Sequence, residues 1–203
     1  MNPWKTIWLQ PRATVRYFLE EGNPKHPLYI VLLMGFLSFL TTALINAEEE
    51  PMSYFGTIIG ALIGGTISSF ISWWISAGLI YFVATKILGG VGTYKQTRFA
   101  YAYGLLPLVM GQLVLWFPTA IILGNKAFAD PVFLSSFQTS WVVFFTFAYF
   151  VLSVWSFVTM FNAVSEAHQF SRWRGFFSVI LPGILVFIFF VSLIMLIMTL
   201  FMF

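Results

Sequence analysis

The residues of this chain that could do chemistry are few, and most of them share one short segment: Asn162, Glu166, His168, Ser171, Arg172 and Arg174. A carboxylate, an imidazole and two guanidiniums could meet a lipid headgroup phosphate or begin a metal site. Asn162 and Glu166 are four apart and share a helix face, whereas Glu166 and His168, two apart, diverge on a helix. Zinc would need further ligands, and only His26 offers a second imidazole. The plainer reading is structural: Glu166 pairs with Arg98, Arg172 or Arg174 and ties loops together. A second cluster holds Lys95, Arg98, Tyr101, Tyr103, Gly104, Pro107 and Gln112. Tyrosine hydroxyls beside a carbonyl freed by proline could line a polar cleft, and an aromatic belt at the headgroup level is the competing reading of the two tyrosines. The third cluster is Glu48-Glu49-Glu50. Adjacent carboxylates on an extended loop do not converge on a cation, so a solvated charge run is expected.

Familiar catalytic patterns are missing. There is no HExxH, GxSxG, Walker loop or dinucleotide glycine pattern. The chain has no cysteine, which excludes disulfides and thiolate metal sites and leaves the redox compartment open. No metal, cofactor or catalytic residue is expected.

These clusters are set among five long stretches without Asp, Glu, Lys or Arg: 26–47, 51–85, 99–125, 131–165 and 175–203. Each exceeds the roughly 20 apolar residues that cross a bilayer core of about 30 Å. With 60% hydrophobic and 8% charged residues among 203, the chain is far from a soluble domain, where about 25% are charged. The fold class is therefore an all-α membrane protein: a five-helix transmembrane bundle with spans near 28–47, 56–87, 98–123, 138–163 and 176–201. No ionisable residue falls near a span midplane. That argues against a proton-coupled pump, a voltage sensor and an intramembrane aspartyl protease.

Charge placement gives the orientation. Lys5, Arg12, Arg16, Lys25, Lys86, Lys95, Arg98, Arg172 and Arg174 fall in segments that five spans put on one side, and only Lys126 falls on the other. Basic loops stay cytoplasmic, so the N-terminus is expected inside and the C-terminus outside. A hairpin within 51–85 would place Lys86, Lys95 and Arg98 opposite the basic N-terminal segment. One long helix, bent at Gly64-Gly65, is preferred. The basic residues are split among loops, so nucleic acid is not an expected partner. The lipid bilayer is, with anionic headgroups and other membrane proteins or further copies of the chain as candidates.

Residues 1–25 form a separate segment without the apolar core of a signal peptide, and 26–203 form a single transmembrane domain. Within 3–21, Pro11 suits a helix start. Val15, Phe18 and Leu19 make an apolar face, and Arg12, Arg16 and Glu20 another. Gly22 and Pro24 stop the helix. Together with Trp4, Trp8 and Tyr17 this reads as an amphipathic helix lying on the cytoplasmic leaflet. In the second span Gly56, Gly60, Gly64, Ser68, Ser72 and Ser76 form a small-residue stripe. In lipid such stripes let backbones touch, so it is expected as a contact line, either inside the bundle or as a homodimer seam. Pro107, Pro118 and Pro182 should bend their spans toward protein.

The opening Asn2-Pro3-Trp4-Lys5-Thr6-Ile7-Trp8 with Pro11-Arg12 resembles bacterial members of the YIP domain family, the Ypt/Rab-interacting membrane proteins. So do Tyr94, Phe99-Ala100-Tyr101-Ala102-Tyr103-Gly104-Leu105-Leu106-Pro107 and Glu166-Ala167-His168-Gln169-Phe170-Ser171-Arg172-Trp173-Arg174-Gly175. The likeness covers nearly the whole chain. It implies five spans with the N-terminus in the cytosol and the C-terminus outside. Eukaryotic relatives act in vesicle traffic and bind small GTPases and one another. The short N-terminal segment here speaks against a GTPase partner and, with the resemblance, implies the bacterial branch and a plasma-membrane location. The leading functional reading is a non-enzymatic membrane protein that organises or binds partners or lipids. Its rivals are a small transporter or channel lined by Tyr101, Tyr103, Gln112 and Asn162, and, last, a lipid-headgroup enzyme built on Glu166, His168 and Arg172.

Overall fold

The computed structural model describes residues 3–21, 25–47, 52–128 and 131–202. Glu48, Glu49, Glu50, Asp130, Gly22 and Pro24 lie outside these, as does the side chain of Trp4. The described residues form helices and no strand. Two short helices lead: α1 (Pro3–Thr6) and α2 (Pro11–Glu21). Five apolar helical rods long enough to cross a bilayer follow. The first is α3 (His26–Ile45). The second joins α4 (Tyr54–Gly60), a π-helical turn (Ala61–Gly65), α5 (Thr66–Phe82) and a second π turn (Val83–Ile87) without interruption. The third is α6 (Tyr94–Gly104) and α7 (Leu106–Leu123). The fourth and fifth are α8 (Ser136–Ala167) and α9 (Arg172–Met202).

Local chemistry sets the boundaries. Ser53, Thr93 and Ser135 cap the second, third and fourth rods; the latter two form reciprocal capping boxes with Gln96 and Gln138. The second span is one rod, not a hairpin, and its irregular turn includes the Gly64-Gly65 pair. Pro107, in the first turn of α7, separates that helix from α6. The Ser156 hydroxyl donates to the Gly104 carbonyl at 2.8 Å, supplying a partner from protein inside the bundle.

Hydrogen bonds between loops agree with the odd number of crossings. At one end the Met52 amide donates to the Phe128 carbonyl (3.1 Å); at the other the Val91 amide donates to the His168 carbonyl (3.3 Å). The second end carries the described basic residues except Lys126, and we call it the basic end.

Two expectations are corrected. The stripe Gly56, Gly60, Gly64, Ser68, Ser72, Ser76 is not the line of contact within the bundle: Gly64, Ser68 and Ser72 are exposed and the rest half-buried. The contact line runs one residue later, through Thr57, Ala61, Gly65, Ser69, Trp73 and Ala77. Its centre is a backbone approach in which a Cβ on Gly35 would strike the Gly65 carbonyl oxygen and Ser69 Cβ. Ser69 adds a hydroxyl bond to the Val31 carbonyl at 2.8 Å. Helix α2 is amphipathic as expected, but its apolar face is covered by protein and not by lipid. Thr14 and Val15 are fully buried and Phe18 nearly so. Phe18 stacks face to face on Tyr103 of α6 (4.1 Å, 5°).

Candidate functional site

The basic end holds three constructions. The first fastens α2. Glu166, on the last turn of α8, accepts Arg12 Nε at 3.0 Å on Oε2 and Arg16 Nε at 2.6 Å on Oε1. Arg12 also reaches the Phe170 carbonyl at 3.4 Å. Residues 12 and 16, one helical turn apart, thus straddle one carboxylate. This corrects the expected partners: Arg98, Arg172 and Arg174 make no ion pair among the described residues, and Arg172 and Arg174 are exposed. The sequence separation of about 150 residues left no signal for the true pairing.

The second construction surrounds His168, which is 1% exposed. Its Nε2 lies 2.8 Å from Thr97 Oγ1. That hydroxyl already donates to the Thr93 carbonyl (3.0 Å), so Nε2–H is the donor and Nδ1 carries the lone pair. Nδ1 is buried without a partner. Burial lowers the pKa to about 4, because a charged ring would lose its hydration and Nδ1–H would find no acceptor. Gly90 and Gly92 make room for the ring: a Cβ on Gly90 would sit 2.7 Å from Nδ1, and one on Gly92 would strike the Ala167 carbonyl oxygen. Gln169 takes a left-handed φ of 54°, and Phe170 stacks on the imidazole (5.5 Å, 16°). This is a neutral histidine joining two loops. Among the described residues no group of His, Asp and Glu is placed to hold a metal, and the roles of Gly90, Gly92 and Thr97 had no signature in the sequence.

The third construction is an aromatic cage for Arg98. Its guanidinium carbon lies 3.8 Å from the Trp74 ring centre, 5.0 Å from Trp73 and 5.3 Å from Tyr94. The cage is held by its backbone: Trp73 Nε1 donates to the Arg98 carbonyl (2.9 Å) and Tyr94 Oη to the Trp74 carbonyl (2.9 Å). Arg98 Nε is buried without a hydrogen-bond partner. Lys95, one turn earlier, rests over Phe99 at 5.7 Å.

The remaining candidates are dispersed. Tyr103 is buried under α2 with its hydroxyl unpartnered. Gln112 donates to Thr41 Oγ1 at 3.0 Å, which also accepts Trp116 Nε1 at 3.1 Å. Asn162 donates to its own helix at the Val158 carbonyl (2.8 Å). Tyr101 alone faces open space, where it separates two clefts. One, of about 380 Å³, lies between spans one and two and includes Val31, Gly35, Thr42, Gly65, Trp73 and Tyr101 in its wall. The other, of about 360 Å³, lies between Ser76, Tyr101, Met160 and Pro182. Ser68 and Ser72, two of the three exposed members of the stripe, line the exposed side of the first cleft.

Comparison with known proteins agrees with this architecture. The Yip1 domain family profile matches residues 5–194. An uncharacterized protein of the archaeon Methanocaldococcus jannaschii is 31% identical over 103 residues, covering 47% of this chain and 72% of that protein. This relative is archaeal, and the comparison does not bear on the bacterial placement expected from the sequence. No solved structure matches the chain.

Proposed function

We propose a role that proceeds from one premise: the chain belongs to the Yip1 domain family. It is a multi-pass membrane protein, and its work is binding within the bilayer, in the plasma membrane, with the basic end toward the cytoplasm. The ligand arrives sideways, through the cleft between spans one and two. The observation that carries this reading is the shape of the cleft. It opens on the bundle's outer surface past Ser68 and Ser72, and Tyr101 and Trp73 line its inner end. Spans one and two touch at Gly35 and Gly65, and the cleft lies over that contact with walls from both.

A transport path would need Tyr101, Tyr103, Gln112 and Asn162 around one cavity. They occupy four separate places: a cleft wall, the underside of α2, the contact with α3, and a bond to their own helix. A headgroup enzyme would need His168 accessible, and it is enclosed.

Photoreactive side chains test the proposal in intact membranes. A probe at Ser72 should give a saturable adduct of defined mass. A probe at Phe187, exposed on α9, should label bulk lipid without saturation. Identical labelling at both positions would remove the cleft as a binding site.

A further inference from the structure

Arg98 is not part of the cleft wall, and its setting is a different surface. The guanidinium stacks on Trp74 at 3.8 Å, and Trp74, which also lies outside the cleft wall, is 42% exposed. Among the described residues the Arg98 side chain has neither an ion pair nor a hydrogen bond, and its Nε is enclosed. Desolvating a guanidinium without an anion is costly, and stacking on a ring offsets only part of that. The acids of the basic end do not serve it. Glu166 is taken by Arg12 and Arg16, and Glu20 and Glu21 form no ion pair among the described residues. The two terminal nitrogens remain, and such an edge suits two oxygens of one phosphate or carboxylate.

Depth says which anion. Span one is 20 residues long, about 30 Å, which matches the hydrocarbon core of a bilayer. Gly35, at its middle, touches Gly65 of span two, so Gly65 marks the midplane. Trp74 is nine residues nearer the basic end, about 13 Å along the helix, where half the core is about 15 Å. Trp74 and the cation stacked on it therefore stand at the border of hydrocarbon and headgroups. Trp73, Tyr81 and Tyr94 extend the ring group there, as belts at that level do. The anion this level supplies is the phosphate of a membrane lipid. From Trp74 toward the midplane, Ile71, Phe70 and Ile67 are exposed, and at three, four and seven residues' distance they share its face. They make an apolar strip about 10 Å long, running as an acyl chain runs from its headgroup. No carboxylate pairs with Arg98 that could also receive a choline or ethanolamine cation, so a headgroup of net negative charge gains most.

We propose that Arg98 holds the phosphate of an anionic phospholipid in the leaflet of the basic end, on the Trp74 face of span two and outside the cleft, with an acyl chain along Phe70, Ile71 and Ile67. This is a second site, and it does not rest on the cleft reading. Phosphate is the chemistry shared by a lipid headgroup and the free ion, and the depth of Arg98 selects the lipid.

Two measurements test the site. The first is native mass spectrometry of the intact detergent-purified protein, titrated with phosphatidylglycerol and phosphatidylcholine of equal chain length. The native chain should prefer phosphatidylglycerol by about tenfold, the worth of one charge-assisted bidentate pair. Arg98→Gln should reduce the preference to about twofold or less. An unchanged preference, in a variant with the native unfolding midpoint, overturns the assignment. Displacement of phosphatidylglycerol by inorganic phosphate alone would make the ligand a free anion and overturn the lipid; no displacement supports it. The second measurement keeps Arg98 and so does not depend on how that variant folds. Photoreactive side chains at Phe70, Ser72 and Phe187 are compared in vesicles holding the two lipids in equal amounts. Adducts at Phe70 should be enriched in phosphatidylglycerol, and those at Phe187 should show the bulk ratio. The bulk ratio at Phe70 overturns the site. Enrichment at Ser72 in place of Phe70 would move the anionic lipid into the cleft, overturning this placement and leaving the cleft reading intact.

Discussion

Helix α9 begins against α8, passes beside the second span, and is exposed along its later turns among the described residues. A Cβ on Gly175 would strike the Phe161 carbonyl oxygen and Ser165 Oγ, and Pro182 is buried. From Gly183 to Thr199 every residue is exposed. Both halves are apolar helix, and α9 is the most hydropathic of the five spans while being the least buried. Span one, less hydropathic than span five, is the most buried. The contrast separates two properties that soluble proteins join. In lipid, apolar character selects the solvent, and contact between helices is set by small residues and polar bonds. The basic end has both, in Gly90, Gly92, Gly104 and Gly175 and in the bonds of Glu166 and His168. In the outer half of α9 nothing lies within 4 Å of a Cβ on Gly183, and the Thr199 hydroxyl bonds within its own helix.

Substitution of the two glycines of α9 puts the contrast to the sharpest trial. Gly175→Val forces a side chain into backbone and should lower stability by more than about 3 kcal/mol, at the upper end for overpacking because the obstruction cannot rotate away. Denaturation in mixed micelles reads it. Acid comes next. The folded pKa of His168, about 4, lies below its ordinary 6.5, so the unfolded chain takes up the proton first. Stability is then full above about pH 6.5 and falls by about 3 kcal/mol as the pH drops toward 4. His168→Asn should lose that slope between pH 6.5 and 4 in the same micelle assay.

Glu166→Gln should act more weakly, by about 1 kcal/mol, since the Arg12 and Arg16 side chains are 35% and 63% exposed and solvent screens them. Its reading is local: tryptic cleavage after Arg12 and Arg16 should quicken about fivefold, with the rest of the chain as resistant as before. The smallest effect is at Gly183, where no atom lies within 4 Å of an added Cβ. Gly183→Val should change stability by less than about 0.5 kcal/mol. If it cost as much as Gly175→Val, the outer half of α9 would have a neighbour that the single chain does not supply, and the contrast would fail.

The rods and their sides were legible because charge is excluded from hydrocarbon, and that signal needs no tertiary information. The cap at Thr93 and the break at Pro107 are likewise local facts. What hid was which solvent or surface a face would meet. Val15 and Phe18 announce an apolar face, yet nothing in their spacing distinguishes a lipid surface from the underside of Tyr103. Small residues at Gly56, Gly60 and Gly64 outshone the neighbouring row, where Trp73 masks a line otherwise made of Thr57, Ala61, Gly65, Ser69 and Ala77. The cage of Arg98 was half visible: the cation was singled out, but its two indoles, Trp73 and Trp74, come from another span.

The wide turn at Ala61–Gly65 helps the true row to stay straighter. In an ordinary α-helix each step of four residues overshoots a full revolution by about 40°, and the five steps from Thr57 to Ala77 add up to about 200°. A π turn accommodates about one more residue per revolution and returns about 100° of that midway along the rod. Thr57 and Ala77, 20 residues apart, are both buried. Removal of a single residue from this turn would restore ordinary winding and swing the Trp73 half of the rod by about 100°, carrying the indole, and with it the arginine's cradle, out of register with the other two spans.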